Sequence, residues 1–291
     1  NKYSKKYLDK ISSSKVYDVV IKSPITKAES VSSQFNNKIY LKREDLQPTR
    51  SFKIRGAYNK ISNLVEKQKV KHVVTASAGN HAQGVAYSAK SLKIKSTIFM
   101  PKTTPSIKVD SVRNLGAKVI LIGDNFDAAL EDSLLFCKNK KLPFIHPFDD
   151  PLVIAGQGTI GKELLDQFDE NIDIVFVAVG GGGLISGIGA YIKSVKPKIK
   201  IIAVEAADAA GLNASLKADK RIKLQEVGLF ADGAAAKQIG KHNYKLIKEW
   251  IDDSITVSTD EICAAVKDTF IDTRTIPCLL YTSPSPRDRV Q

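Results

Sequence analysis

The sequence predicts an α/β protein built on parallel sheets, and three observations predict it. Apolar runs of strand length alternate with stretches whose apolar residues recur at helical spacing. One run, Ile174 to Val179, is continuously apolar, as in strands buried on both faces of a parallel sheet. Two of the strand-like runs pass directly into small-residue loops and then into helical patterns, the order of a strand–loop–helix unit.

Taken in order, Val73-Val74 reads as a strand leading into the loop Ser77-Ala78-Gly79-Asn80-His81. Ala82, Val85, Ala86 and Ala89 then mark one face of a helix. Thr97 to Met100 and Val119 to Ile122 are strands, with a helix marked by Ile107, Val112 and Leu115 between them. Phe126, Ala129, Leu130, Ser133, Leu134 and Cys137 trace a further helix, followed by Phe144-Ile145. After Ile174–Val179 come a helix on Leu184, Ile185, Ile188, Tyr191, Ile192 and Val195 and a strand at Ile201–Val204. Ser258 and Glu261 form a capping box ahead of Ile262, Ala265 and Val266. Pattern alone places no domain boundary.

With 291 residues, 43% of them hydrophobic, the chain has enough apolar surface for a substantial core. No apolar run has the length of a membrane span and no secretory leader is visible, so no membrane partner is expected. The chain begins with Asn1 and not Met, and the expectation is that the native start is missing. Cys137, Cys263 and Cys278 are isolated, without metal or disulfide spacing, and a cytoplasmic setting is the expectation. The formal net charge of +13 raises the question of nucleic acid. The lysines, however, are spread along the chain among apolar residues, and the short cluster Lys138, Lys140, Lys141 has no interleaved aromatics, so no nucleic-acid partner is expected.

Three segments carry chemistry. Lys53 lies between Phe52 and Ile54 in Ser51-Phe52-Lys53-Ile54-Arg55-Gly56-Ala57. Apolar neighbours desolvate an amine, lower its pKa and make the neutral form available as a nucleophile. Gly180-Gly181-Gly182-Gly183-Leu184 ends a strand and opens a helix, a place where bare backbone N–H groups and the helix dipole bind an anion. A dinucleotide site is the competing reading, with Glu205 ending the next strand, but Ser186 stands where its glycine fingerprint needs Gly or Ala. Asn80 opens the next such turn, where its plain role is to cap the following helix. His81 is left out of catalysis, because lone histidines are most often structural.

A lysine, an asparagine loop and a tetraglycine loop in this order resemble the fold-type II pyridoxal-phosphate (PLP) enzymes, and among them the threonine dehydratases. The resemblance runs from about Tyr7 to Thr275. It implies a tryptophan-synthase-β-like architecture of two parallel-type sheet domains with flanking helices, incomplete at the C-terminus: a large PLP-binding domain at 1–71 and 148–277, and a small one inserted at 72–147. It implies PLP as cofactor, on Lys53, Phe52, Asn80, Gly180, Gly181, Gly182, Gly183 and Leu184, with Lys53 catalytic. It places the substrate carboxylate on Ser77, Ala78, Gly79, Asn80 and His81.

The implied reaction is dehydration and deamination of L-threonine to 2-oxobutanoate and ammonia, the opening step of isoleucine biosynthesis, with L-serine as a secondary substrate. A catabolic dehydratase and an inactive PLP-binding fragment are the alternatives, and a homo-oligomer is implied for the full-length protein. The related serine racemases carry a serine where this chain has Ala78, which favours elimination. They also bind a divalent metal; Glu205 matches the first ligand but Gly211 stands at the last, so no metal is expected. Lys42-Arg43-Glu44-Asp45, His146-Pro147-Phe148-Asp149-Asp150-Pro151, Ala155-Gly156-Gln157-Gly158-Thr159 and Ala231-Asp232-Gly233 match the family as well and are expected to shape cleft walls and turns. From Cys278 to Gln291 the chain resembles a translated sequencing adapter and is expected to be a non-native tail, which leaves no residue to assign to the PLP pyridine nitrogen.

Overall fold

The computed structural model describes residues 2–274, apart from 169, 229 and 232. The expectations that rest on Asp232, Thr275 and the 278–291 tail fall outside the described residues.

Helix α1 (Lys2–Ser12) precedes a short antiparallel ladder of β1 (Ile25–Lys27) and β2 (Tyr40–Lys42), with α2 (Glu29–Gln34) between them. These strands are three residues long, too short to show a period in the sequence. Helix α3 (Lys53–Gln68) follows and ends at Lys69 in the left-handed conformation.

A parallel sheet then forms from β3 (His72–Ala76), β4 (Lys95–Met100) and β5 (Lys118–Leu121), in that order. Helices α4 (Asn80–Ser91) and α5 (Ser106–Asn114) make its crossovers, and α6 (Phe126–Lys140) follows β5. Val74 pairs with Thr97, and Ile98 with Val119. The strand expected at Phe144-Ile145 is reduced to a single parallel bridge between Phe144 and Val74. Pro143 and Pro147 flank it, and proline has no N–H to extend a ladder.

Helix α7 (Pro151–Gln167) leads to a second parallel sheet, β6 (Ile174–Ala178), β7 (Lys200–Ala206) and β8 (Asp253–Val257). Helices α8 (Gly183–Val195), α9 (Gly211–Lys217) and α10 (Lys241–Trp250) connect its strands, and α11 (Thr259–Thr273) follows it. The expected capping box on Ser258 and Glu261 opens α11. The largest core cluster joins Val177, Ile201 and Ala203 of this sheet to Ile185, Ile188 and Ile192 of α8 and Ile247 of α10.

Two expectations are corrected. The run Ile174–Val179 is not buried on both faces: β6 ends the described sheet, α8 covers one face, and Ile174 and Phe176 on the other are 43% and 62% exposed. The segment Ala155–Thr159 is not a wall or turn but the middle of α7. Its glycines serve close helix contact. A Cβ at Gly156 would lie 2.6 Å from the Arg55 carbonyl oxygen, and one at Gly187 would lie 2.5 Å from the Gly158 nitrogen. Glycine weakens a helix intrinsically, and here the lost propensity is exchanged for packing of α7 directly on α3 and α8.

Candidate active site

Helix starts in this protein differ in how their first amides are met. Those of α6, α7 and α11 are capped by the side chains of Asn125, Asp150 and Ser258. Those of α4 and α8, each at the C-terminal end of a parallel strand, have Gly79 and Gly182 at the cap position, residues without a side chain to spend on the first-turn amides. Asn80, given a cap as its plain role, is instead the first residue of α4 and is buried. Two uncapped helix starts offer two places for anions.

Lys53 lies against the first of them. It is the first residue of α3, with its N–H received by the Ser51 hydroxyl at 3.2 Å. Its Nζ donates to the Pro147 carbonyl at 3.3 Å and stands 5.3 Å from the centre of the Phe52 ring. Burial pulls the amine from 10.5 down to about 8. Helix α4 presses on the Lys53 backbone, since a Cβ at Gly84 would sit 3.2 Å from the Lys53 carbonyl carbon. Phe148, next to Pro147, packs on the glycine loop: a Cβ at Gly181 would meet its ring at 2.3 Å. Lys53 therefore packs on α4 directly and is linked to the tetraglycine loop through the adjacent Pro147 and Phe148.

The glycine loop turns at Gly182, where φ is +90°, a conformation open mainly to glycine. Gly180 is hemmed in too, a Cβ there falling 2.8 Å from the Ala234 carbonyl oxygen. Leu184 follows in the first turn of α8, and the buried Ser186 hydroxyl near it has no partner among the described residues. In the other loop the Ser77 N–H already donates to the Phe99 carbonyl at 3.1 Å, and the Gly79 N–H to the Ser77 hydroxyl at 3.3 Å. Ala78 is partly exposed at this turn. His81 is buried and its Nε2 meets the Ile145 carbonyl at 2.9 Å. Burial, reinforced by the Lys53 charge, lowers its pKa to about 3, which fits a structural rather than an acid–base role.

Several residues shape this region; of these, Glu163 was not singled out in the sequence, and Arg55, Lys42 and Glu44 appeared there only within matching segments. Arg55, fully buried, pairs with Glu44 at 2.7 Å and Glu163 at 2.6 Å, and Lys42 pairs with the same Glu163 at 2.6 Å. This network ties β2 and α7 to the start of the helix that carries Lys53. Asp149 and Asp150, read as turn residues, are helix caps. Asp150 accepts from Leu152 N–H at 2.8 Å, while Asp149 accepts from Lys241, His242 and Asn243 at the start of α10. Glu205, weighed above as a ribose or metal ligand, accepts from the Leu212 and Asn213 amides at 2.8 and 2.7 Å and so holds the start of α9. Among the described residues no cluster of three or more His, Cys, Asp or Glu is placed to hold a metal.

A lysine amine released near neutral pH, beside two uncapped helix starts, defines a site for a ligand with a carbonyl and an anionic group. The family model described as "Pyridoxal-phosphate dependent enzyme" matches residues 16–282, and the chain belongs to that family. It is 53% identical over 272 residues to the mitochondrial threonine dehydratase of Schizosaccharomyces pombe, covering 93% of this chain and 45% of that protein. To the biosynthetic L-threonine dehydratase IlvA of Escherichia coli it is 49% identical over 270 residues, covering 93% and 52%. The chain thus spans about half the length of the curated relatives it matches. Its fold superposes on the processed form of threonine deaminase isoform 2 from Solanum lycopersicum with a TM-score of 0.93 at 45% identity, covering 96% of this chain and 77% of that one. Serine racemase from Dictyostelium discoideum gives 0.85 at 33% identity, covering 96% and 88%. The residues present fit the family's cofactor: a desolvated amine for an aldehyde, and for a phosphate a loop where side chains have no room.

Proposed function

We propose that this chain holds the catalytic machinery of a biosynthetic threonine dehydratase, converting L-threonine to 2-oxobutanoate and ammonia by loss and return of one water, with L-serine as a slower substrate. The observation that carries the reading is the placement of Lys53, its amine lowered to about 8, against Pro147 and α4 and, through the adjacent Phe148, next to the tetraglycine loop. In this reading Lys53 would hold the aldehyde of PLP, with Phe52 packed beside it. The amides of Gly180, Gly181, Gly182, Gly183 and Leu184 would hold the phosphate, and Asn80 the ring oxygen. Bound PLP supplies an electron sink for the bond that breaks at the substrate Cα. Lys53, freed when substrate enters, takes the proton from Cα; an amine near neutral pH suits that task. The Ser77–His81 turn at the start of α4 would hold the substrate carboxylate against the positive end of the helix.

Residues 72–147, with their own sheet, form the inserted small unit of this reading. Serine racemase shares the fold, so the fold does not separate the two reactions. Ala78 favours elimination, because it offers no proton on the face opposite Lys53. The names of the relatives favour the biosynthetic branch, that of isoleucine. A free, exposed Cys263 accords with a reducing compartment such as the cytoplasm.

The test is reconstitution of the 291-residue chain with PLP, followed by visible absorbance and release of 2-oxobutanoate from L-threonine. Wild type should show both and Lys53→Ala neither. Full turnover by Lys53→Ala would refute the assignment.

A further inference from the structure

Asn243 lies outside every segment expected to form the site, yet its side chain reaches the glycine loop. It is near the start of α10 and fully buried. Its Nδ2 donates to the Gly181 carbonyl at 2.8 Å and to the Phe148 carbonyl at 3.1 Å. Both partners only accept, so the orientation of the amide follows from the chemistry. The Gly240 N–H adds a second donation to the Gly181 carbonyl at 3.2 Å. Contact is direct as well, since a Cβ at Gly182 would lie 3.0 Å from the Asn243 Cβ. Asn243 is itself held in place. The Asp149 carboxylate accepts from its N–H at 3.2 Å and from those of Lys241 and His242 at 2.8 and 2.9 Å.

The geometry of one peptide group gives this arrangement its consequence. In a trans peptide the C=O and the following N–H point in opposite directions. A Gly181 carbonyl fixed toward α10 therefore aims the Gly182 N–H away from α10. Four consecutive glycines have no side chains to settle that choice, and glycine peptides rotate more freely than others. The direction is imposed from outside the loop, by Asn243 and Gly240.

We propose that Asn243 is a positioning residue for phosphate: by holding the Gly181 carbonyl, it sets the tetraglycine loop in its anion-binding conformation before the cofactor arrives. This rests on the PLP reading of the cleft. Asn243 does not touch the reacting atoms; it acts through the loop, and Asp149 acts through Asn243.

Phosphate-free pyridoxal separates this role from a general structural one, because it needs Lys53 but not the loop. The apo form of the full 291-residue chain, as wild type, Asn243→Ala and Asn243→Ser, is titrated with PLP and with pyridoxal, reading the absorbance of the Lys53 adduct. Loss of two buried hydrogen bonds should weaken PLP by roughly tenfold or more in Asn243→Ala and less in Asn243→Ser, with pyridoxal changed by less than about twofold. Equal weakening of both ligands, or of neither, overturns the proposal. Lys53→Ala is the control for the underlying reading: if it still forms the adduct, the cleft assignment fails whatever Asn243 does. Should both Asn243 variants lose their cooperative unfolding transition, wild-type hydrogen exchange with inorganic phosphate decides. Phosphate should slow exchange in peptides covering 180–186 and 240–246 together; slowing of the first alone, or of neither, overturns the proposal.

Discussion

The sharpest quantitative consequence concerns the titration of Lys53. Its amine is brought from 10.5 to about 8, with burial as the cause. At pH 7.5 an amine of pKa about 8 is about 24% neutral, against about 0.1% at 10.5, so its nucleophilic form is enriched roughly 240-fold. The same shift bears on stability. Between pH 8 and 10.5 the unfolded chain binds more protons at this lysine than the folded one, so stability rises with pH across that window. Below pH 8 the folded state carries the whole penalty, about 3 kcal/mol from the 2.5-unit difference. The assay is competitive reductive methylation of the cofactor-free chain across pH, reading the Lys53 peptide by mass spectrometry. Its modification should rise with a midpoint near 8. In Lys53→Met the gain in urea midpoint between pH 8 and 10.5 should shrink. A Lys53 midpoint at or above 10.5 would refute the argument, since it would mean that the surrounding helices do not desolvate the amine.

Other consequences can be checked by unfolding. Glu163→Gln removes the carboxylate shared by Arg55 and Lys42 and should destabilise the fold by roughly 3–5 kcal/mol in urea titration, because the guanidinium stays buried with one partner fewer; an unchanged midpoint would contradict that account. Gly187→Ala places a Cβ 2.4 Å from the Ile154 carbonyl oxygen, backbone against backbone. It should cost roughly 1–3 kcal/mol despite the better helix propensity of alanine, and a stabilised variant would show that α7 and α8 are free to part. His81 should stay neutral in the folded state down to about pH 3, while in the unfolded chain it protonates near 6.5. Stability contributed by the neutral ring is thus lost as pH falls from 6.5 toward 3, and His81→Gln should flatten that limb of the urea-midpoint profile.

What the sequence displays depends on how far apart in the chain the cause and the effect lie. Lys53 between Phe52 and Ile54, the glycine run at 180–183 and the capping box at Ser258 are local signals, and the structure places all three as read. The alternation of strands and helices is local too, which is why β3, β4, β5, β6 and β7 were visible. Burial is not local. The apolar run at β6 has the composition of a two-sided interior strand, but its exposure depends on what pairs beside it, and among the described residues only β7 does. The Arg55–Glu163 pair spans a separation of 108 residues, and Asn243 reaches Gly181 across 62. Neither leaves a mark in its own neighbourhood, since Arg, Glu and Asn are ordinary residues on an amphipathic helix.

Glycine is the case where the same residue means different things, and the contrast explains most of what the sequence concealed. In α7 the glycines at 156 and 158 are spacers, making room for the backbones of α3 and α8. At 79 and 182 they are absences, leaving helix-start amides without the side-chain acceptor that Asn125, Asp150 and Ser258 supply to α6, α7 and α11. A chain selected for stability alone would place Ser, Thr, Asp or Asn at those two positions as well. It does so at α6, α7 and α11, and serves α9 and α10 from a distance with Glu205 and Asp149, but supplies no side-chain cap at the starts of α4 and α8. The pairing of an omitted cap with a desolvated amine, rather than either feature singly, is what supports the proposed ligand site in this cleft.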